Sequence, residues 1–155
     1  MEETEENPYL DRKDNNIHEA IETFRPLIED FDEKLSPVKA HEKIDRFGTI
    51  SVHTFFEVFL LDYCYDLVKR KDMLKLKRLF LHIEYLLQTF PLLENAIAVS
   101  FLEDLYGNHH PDRAIYIQLS GEETLKLSKQ IMSRFVHEVS TNQEIDEELK
   151  KRGRS

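Results

Sequence analysis

The amino-acid sequence predicts an all-α protein that folds as a single domain. Its 155 residues include only 4 glycines and 5 prolines, which leaves little material for the turns of β-hairpins. Apolar residues recur at intervals of three and four, the period of amphipathic helices. A chain of this length buries roughly 70% of its unfolded surface around one core. We therefore expect six or seven helices in an antiparallel or orthogonal bundle, or a short solenoid of paired helices.

The first helix is predicted from an apolar stripe with steps of four and three residues. The stripe consists of Ile17, Ile21, Phe24, Ile28, Phe31 and Leu35. Asn15 or Asn16 can serve as its N-cap. Pro26 lies inside the stripe, and an internal proline removes one backbone hydrogen bond and clashes with the preceding turn. We expect a kink at Pro26 within a continuous helix.

A short, separate helix is predicted next. Ser36 can cap it, Pro37 suits its first position, and Gly48 lies just past its end. Its apolar edge consists of Val38, Ile44 and Phe47.

The following helix is apolar around most of its circumference and ends near Lys69 and Arg70. Its large apolar residues are Phe55, Phe56, Val58, Phe59, Leu61, Leu67 and Val68. We interpret its aromatic residues, which include Tyr63 and Tyr65, as core rather than as a platform for stacking bases, because no basic residue lies among them. Cys64, the only cysteine, is expected to be buried and unreactive.

Asp72 can cap the next helix, which only a residue or two separates from its predecessor. The two should therefore be antiparallel neighbours. The predicted inward face of the second consists of Leu74, Leu76, Leu79, Phe80, Ile83, Leu86 and Leu87. After Pro91 comes a helix without a basic residue, which we expect to be the most buried. Its apolar residues are Leu92, Leu93, Ala96, Ile97, Val99, Phe101, Leu102 and Leu105.

The last third of the chain gives weaker patterns. The stretch from Pro111 to Leu119 alternates like a strand, but its proline favours a helix start, and we predict a short helix. Ser120 and Glu123 form a capping box for the next helix. The chain thus divides into an acidic flexible segment at 1–14, a helical domain at 15–139, and a frayed helix or disordered tail at 140–155.

The charge of the chain bears on its partners. Thirty acidic and 21 basic residues give a net charge of -9. This charge argues against nucleic acid or an anionic membrane as the main ligand and favours a basic partner. The sequence shows no secretory signal and no run of the ~20 apolar residues that a bilayer requires. With its single cysteine, the chain is expected to be cytoplasmic.

No catalytic, cofactor or metal site can be assigned from these residues, and we expect no enzyme activity. His18 and Glu22 lie one helical turn apart, as in the HExxH zinc motif, but Glu22 replaces the second histidine. His109 and His110 lie in a turn whose surroundings contain no serine or cysteine nucleophile and no glycine-rich phosphate loop. A metal-dependent hydrolase built on His18, Glu22 or the His109–His110 pair remains an alternative.

The stretch from Leu76 to Leu105 contains an "RLF" helix with "IE", a short break, and an apolar helix that ends in "FLE" and a leucine. The residues that carry this pattern are Arg78, Leu79, Phe80, Ile83, Glu84, Phe101, Leu102, Glu103 and Leu105. The pattern resembles the central segment of small, acidic, all-helical bacterial proteins that are encoded beside polymorphic toxins and are taken to be their immunity proteins. Because the matching residues are mainly core-forming, the resemblance implies a fold more than an activity.

What the resemblance implies is an inhibitor that binds a cognate protein toxin. A basic toxin would suit the acidic chain, since opposite charges speed encounter. We expect an acidic contact surface that contains Glu94, Glu103, Asp104, Asn108, His109, His110 and Asp112. Glu84 and Glu103 are acids on otherwise apolar helices, and each can also face solvent or cap a neighbouring helix. The alternative is a helical adaptor or regulatory protein that docks a partner peptide or helix in a groove between its own helices, which a large exposed apolar groove would favour.

Overall fold

The computed structural model describes residues 16–42, 44, 48–107, 112–133 and 139–153. Within these ranges the chain forms eight helices, and the only β pairing is an isolated antiparallel bridge between Ile44 and Ile50. The predicted all-α, single-domain bundle is confirmed. The acidic segment at 1–14 lies outside the described residues.

The helices follow one another with short connections. They are α1 (16–22), α2 (Phe31–Lys39), α3 (52–69), α4 (Met73–Thr89), α5 (Pro91–Tyr106), α6 (Arg113–Leu119), α7 (Glu122–Met132) and α8 (Val139–Gly153). Both α3 and α5 contain a π-helical segment, at Phe55–Leu60 and Ala98–Leu102 respectively. Within the described ranges no single helix is long and apolar enough to cross a bilayer; α4 and α5 reach that length and composition only as a pair bent by 113°.

The chain breaks around Pro26, so the prediction of a kinked continuous helix is wrong. α1 ends at residue 22, and Arg25–Leu27 forms a 3-10 turn that begins beside the proline. Asp30 then adopts the left-handed conformation with φ 53°, which redirects the chain into α2. The physical reason is that proline offers no N–H to the turn before it. The apolar stripe still reaches the core, because Phe24, Ile28 and Phe31 are all buried.

The prediction of a separate helix that starts at Ser36 is also wrong. Ser36 and Pro37 lie inside α2, which begins at Phe31 and ends at Lys39. The Ala40 N–H donates to the Ser36 carbonyl, so the last turn closes despite the proline. Gly48 adopts φ 75°, the left-handed region that favours glycine. Residues 45–47, where the predicted helix would end, lie outside the described residues.

Several apolar residues that the sequence places in the core are exposed instead. They are Val58, Leu74, Leu92 and Val99. On α4 the reason is geometric, because Leu74 lies about 200° around the helix from buried Leu76. The other predicted core positions of α4 and α5 are buried, apart from partly buried Leu87. Asp72 caps α4 as predicted, since its Oδ1 accepts from the Lys75 N–H at 3.2 Å.

Contacting aromatic rings connect the helices of the core. The Phe56 ring lies 6.0 Å from the Phe24 ring and 6.1 Å from the Phe101 ring. Phe56 and Phe101 lie on the π-helical segments of α3 and α5. The Phe80 ring of α4 lies 6.4 Å from Phe101 and stacks on Tyr116 of α6 at 5.8 Å. All five rings are almost fully buried. These five rings, which we call the aromatic path, connect the break after α1 to α3, α5, α4 and α6.

The N-terminus of α7 is capped by Glu84 of α4 rather than by the predicted capping box. One Glu84 carboxylate oxygen, Oε2, accepts from the Glu123 N–H at 2.9 Å, and the other accepts from the Thr124 N–H and hydroxyl, both at 2.8 Å. Ser120 instead donates its hydroxyl to the Tyr116 carbonyl. Gly121 permits this approach, because a Cβ there would lie 2.3 Å from Glu84 Cδ. Glu84 therefore does cap a neighbouring helix, an alternative that the sequence leaves open.

The C-terminal segment forms a helix, α8, that packs against α6 and α7, where the sequence suggests a frayed helix or a disordered tail. Ile145 is fully buried. Arg113 of α6 donates to both carboxylate oxygens of Glu144, at 2.9 and 3.0 Å. Arg152 donates to three carbonyls at and just beyond the end of α6, those of Ile117, Gln118 and Ser120. Charged side chains thus attach a helix that has few apolar residues.

The Glu84 cap yields a stability test. We predict that Gly121→Ala lowers the free energy of unfolding by about 2 kcal/mol, because the new methyl group displaces Glu84 and leaves two backbone N–H groups without their acceptor. Urea denaturation of purified variants measures the change.

The control is Gly153→Ala at the end of α8, where an added Cβ meets nothing within 4 Å and should leave stability almost unchanged. In a Glu84→Ala background the cost of Gly121→Ala should largely disappear, because the clashing carboxylate is gone. Equal costs of Gly121→Ala in both backgrounds would show that Glu84 is not the cause.

Candidate functional site

His18 and Glu22, the candidate metal pair, are engaged in local contacts. His18 Nδ1 shares a hydrogen bond with the Thr49 hydroxyl. Glu22 accepts two hydrogen bonds from the Arg25 guanidinium, at 2.8 and 3.1 Å, and this partner holds the pKa of Glu22 below its usual value. Among the residues that the structure describes, no group of three or more His, Cys, Asp and Glu side chains is placed to hold a metal ion.

A serine and a histidine lie at the distance that nucleophile and base require, but the serine is inaccessible. The His53 Nδ1 to Ser100 Oγ distance is 2.7 Å. Ser100 is only 4% exposed inside the π-helical segment of α5. A substrate carbonyl cannot approach its hydroxyl, so the contact joins α3 to α5 instead. Cys64 is likewise buried, and desolvation raises the pKa of its thiol, which keeps it protonated and unreactive.

His82 is a half-buried histidine that links α4 to the break after α1. Its Nε2 lies 2.7 Å from Thr23 Oγ1, and the Thr23 hydroxyl itself donates to the Ala20 carbonyl. His82 Nε2 must therefore be the donor of this hydrogen bond. The ring meets Phe24 edge-on at 4.6 Å, and desolvation lowers the pKa of His82 below its ordinary value. In the fold, neutral His82 donates a hydrogen bond to the Thr23 hydroxyl.

Two carboxylates, those of Asp62 on α3 and Asp104 on α5, lie near Tyr65 of α3. Burial raises the pKa of Tyr65 to about 12, with further contributions from the carboxylates of Asp104 on α5 and Asp62 on α3. Burial also raises the pKa of the neighbouring Tyr116, to which Asp112 and Tyr65 contribute. Asp62 and Asp104 are exposed, whereas Tyr65 and Asp112 are half-buried. We call Asp62, Tyr65 and Asp104, together with Asp112 beside the neighbouring Tyr116, the Tyr65 patch.

The structure brings together only part of the predicted contact surface. Asp104 and Asp112 belong to the Tyr65 patch, and Glu103 is half-buried beside Asp104. Glu94 lies ten residues earlier on α5, about 15 Å away along the helix axis. Asn108, His109 and His110 lie outside the described residues.

Sequence reasoning missed Asp62 and assigned Tyr65 to the core. Tyr65 does pack against the core, but only part of its side chain is buried. The available signal was the pair Asp62 and Asp66, one turn apart on an otherwise apolar helix. Both are exposed, so this helix has a polar outer face beside the half-buried tyrosine.

Glu94 lies in a groove of about 430 Å³ between α4, α5 and α7. The groove is lined by Leu87, Glu94, Glu123, Lys126, Leu127, Lys129, Gln130 and Ser133. The charges of its lining are mixed, and both lysines are paired, because Lys126 lies 3.1 Å from Glu122 and Lys129 lies 2.6 Å from Asp146. This groove is therefore neither an acidic surface nor the large apolar groove expected of an adaptor.

Comparison with known proteins places the chain in a sequence family. Residues 15–137 match the model of a domain of unknown function, DUF7674. The match spans about four-fifths of the chain, so the chain belongs to this family. No curated protein and no solved structure matches it.

The environment of His82 predicts a pH dependence of stability. In the unfolded chain His82 binds a proton near pH 6.5, whereas the folded state resists protonation because its pKa is lowered. The unfolded state then binds more protons, so the contribution of His82 to stability is complete above about pH 6.5 and is lost as pH falls from there. Urea denaturation between about pH 7.5 and 5.5 should show this decline.

His82→Gln keeps a donor for Thr23 without a titrating group, and its profile should be flatter than that of the wild type. His41→Gln, at an exposed position after α2, is the control and should follow the wild-type profile. Parallel profiles for the wild type and His82→Gln would contradict this account of the site.

Proposed function

We propose that this member of the DUF7674 family is an immunity-type inhibitor that binds and neutralises a basic toxin domain through the Tyr65 patch. The observation that carries the proposal is the position of Asp62 and Asp104 near half-buried Tyr65, with Asp112 near the neighbouring Tyr116. Tyrosine is enriched among the residues that dominate binding energy at protein interfaces. A rim of carboxylates selects a partner of opposite charge and speeds its encounter.

The patch is suited to binding because Tyr65 and the helices that carry its neighbours pack against the core. Tyr65 packs against the core and lies next to Cys64 on α3, which is fully buried. Asp104 is on the last turn of α5, and Asp112 directly precedes α6, whose Tyr116 stacks on Phe80. Side chains that are already ordered lose little entropy on binding, and this favours affinity.

The chemistry of the patch also favours a cationic partner. The patch contains three carboxylates, and the raised pKa of Tyr65 keeps its phenol neutral. A lysine or arginine of the partner can pair with the carboxylates, and the phenol ring offers a face for cation–π contact. The net charge of -9 attracts a basic toxin domain from a distance.

Two further points support binding rather than catalysis. Two of the histidines that could act as bases, His18 and His53, are hydrogen-bonded to Thr49 and to buried Ser100. The resemblance of the Leu76–Leu105 stretch to toxin-associated immunity proteins points to the same class of function. The proposal includes action in the cytoplasm and needs no cofactor, nucleic acid or membrane.

The proposal predicts a complex with the product of the adjacent open reading frame. Binding by the full-length chain can be measured by surface plasmon resonance, and neutralisation by the growth of cells that express that product. Tyr65→Ala should weaken binding about 30-fold or more, mainly through faster dissociation. Asp62→Asn/Asp104→Asn should slow association, with the largest effect at low salt.

The matched control is Glu33→Gln/Glu42→Gln, which removes two exposed carboxylates from α2 and the turn after it. This variant changes the net charge equally and should bind almost like the wild type. The absence of both a complex and a growth rescue would remove the proposal. Unchanged binding by the Tyr65 and Asp62/Asp104 variants would show that the Tyr65 patch is not the contact surface.

A further inference from the structure

α4 presents an exposed apolar stripe to solvent. Leu74, Leu81 and Tyr85 are 61%, 57% and 47% exposed. They are separated by seven and four residues, so they lie on one side of the helix, and the stripe is about 17 Å long. Lys77 and Arg78 are exposed on the same side, within about 60° of Leu74 around the axis. We call these five residues, Leu74, Lys77, Arg78, Leu81 and Tyr85, the α4 face.

The α4 face is basic in a chain whose net charge is -9. Within the part of the chain that the structure describes, neither Lys77 nor Arg78 has an ion-pair partner. Lys75, by contrast, pairs with Glu29 and with Asp72. The carboxylate of Glu84 is used to cap α7. The protein thus leaves two cations beside exposed leucines without compensating them.

The C-terminal end of this face, at Tyr85, is held by contacts with neighbouring side chains. The Tyr85 ring stacks on the His82 ring with centroids 5.6 Å apart. His82 in turn bonds Thr23 at 2.7 Å and meets buried Phe24. Because the Tyr85 ring stacks on His82, its exposed edge offers apolar area to a partner at low entropic cost.

We propose that the α4 face binds an amphipathic helix of a partner protein whose apolar side chains are flanked by carboxylates. Two packed helices bury apolar stripes of this kind against each other, and three turns of partner helix match its length. Burial of Leu81 and Tyr85 would desolvate Lys77 and Arg78, and carboxylates from the partner offset that cost. The occupant is opposite in charge to the basic partner proposed for the Tyr65 patch, so the α4 face is a second, separate surface.

Charge argues against a second copy of this chain as the occupant. A symmetric pairing of two α4 faces brings the cations of each copy against Leu81 and Tyr85 of the other and supplies no carboxylate from the face itself. The first six residues of the chain include four glutamates, so their charge is opposite to that of the α4 face. The experiment below distinguishes these occupants.

The probe is a fluorescein-labelled synthetic helix of about fifteen residues with leucines at helical spacing and flanking glutamates. A matched peptide carries lysines in place of the glutamates. Fluorescence anisotropy with the full-length chain should show binding of the acidic peptide and not of the basic one. Lys77→Glu/Arg78→Glu should weaken binding of the acidic peptide at least tenfold and allow the basic peptide to bind. Leu81→Ser/Tyr85→Ser should abolish binding of the acidic peptide.

The charge control is Lys150→Glu/Lys151→Glu on α8, which changes the net charge equally and should retain wild-type affinity within about twofold. Circular dichroism of every variant confirms that the helices are retained. Failure of the acidic peptide to bind the wild type, or equal binding by Lys77→Glu/Arg78→Glu, would overturn the proposal.

Two further outcomes would assign the face to another occupant and also overturn the proposal. One is a dimer in sedimentation experiments that Leu81→Ser/Tyr85→Ser dissociates, which would identify a second copy. The other is at least tenfold tighter peptide binding when Glu2, Glu3, Glu5 and Glu6 become glutamine, which would identify the N-terminal residues of the same chain.

Discussion

The arrangement of the helices depends on the aromatic path through the core. Phe24, Phe56, Phe101, Phe80 and Tyr116 each contact the next ring, and together they link the break after α1 to α3, α5, α4 and α6. Each such side chain buries about 150–250 Å², so these residues contribute a large share of apolar area to the core. Phe56 and Phe101 both lie on π-helical segments. Surface features take their positions from this core.

The polar contacts then complete what the core leaves open. Glu84 projects from the helix that carries Phe80 and caps α7, while Arg113 and Arg152 attach α8 to α6. Because the large side chains of the core are used in holding helices together, we propose that recognition uses the outer surface. That surface contains an anionic site around Tyr65 and a cationic, apolar face on α4, and the proposed roles follow from their opposite charges.

Sequence patterns within one helix predicted the elements that depend only on neighbouring residues. The apolar period located α3, α4 and α5, and the Asp72 cap needed only the residue three positions later. Features that depend on distant residues were missed. The carboxylate that caps α7 comes from nearly forty residues away, and no periodicity reveals that Arg152 binds the end of α6. Pro26 was misjudged because the stripe continues across it, whereas the backbone does not.

The same distinction explains how much of the candidate site could be predicted. Asp104 and Asp112 were selected because they flank one turn, and both belong to the Tyr65 patch. Glu94 was grouped with them by nearness in sequence, but ten residues of helix separate it from Asp104. Asp62 comes from a helix some forty residues earlier, so only the packing of α3 against α5 brings it to the patch.

Hydrogen exchange of the free, full-length chain tests most directly whether a single aromatic core organises the molecule. Amides of Phe56 on α3, Phe80 on α4 and Phe101 on α5 should exchange slowest and with one common opening free energy, because their rings belong to the same cooperative unit. A common value that falls equally at all three positions on Phe101→Leu would agree with the account. Separate opening free energies for α3 and α4, or a loss confined to α5, would contradict it.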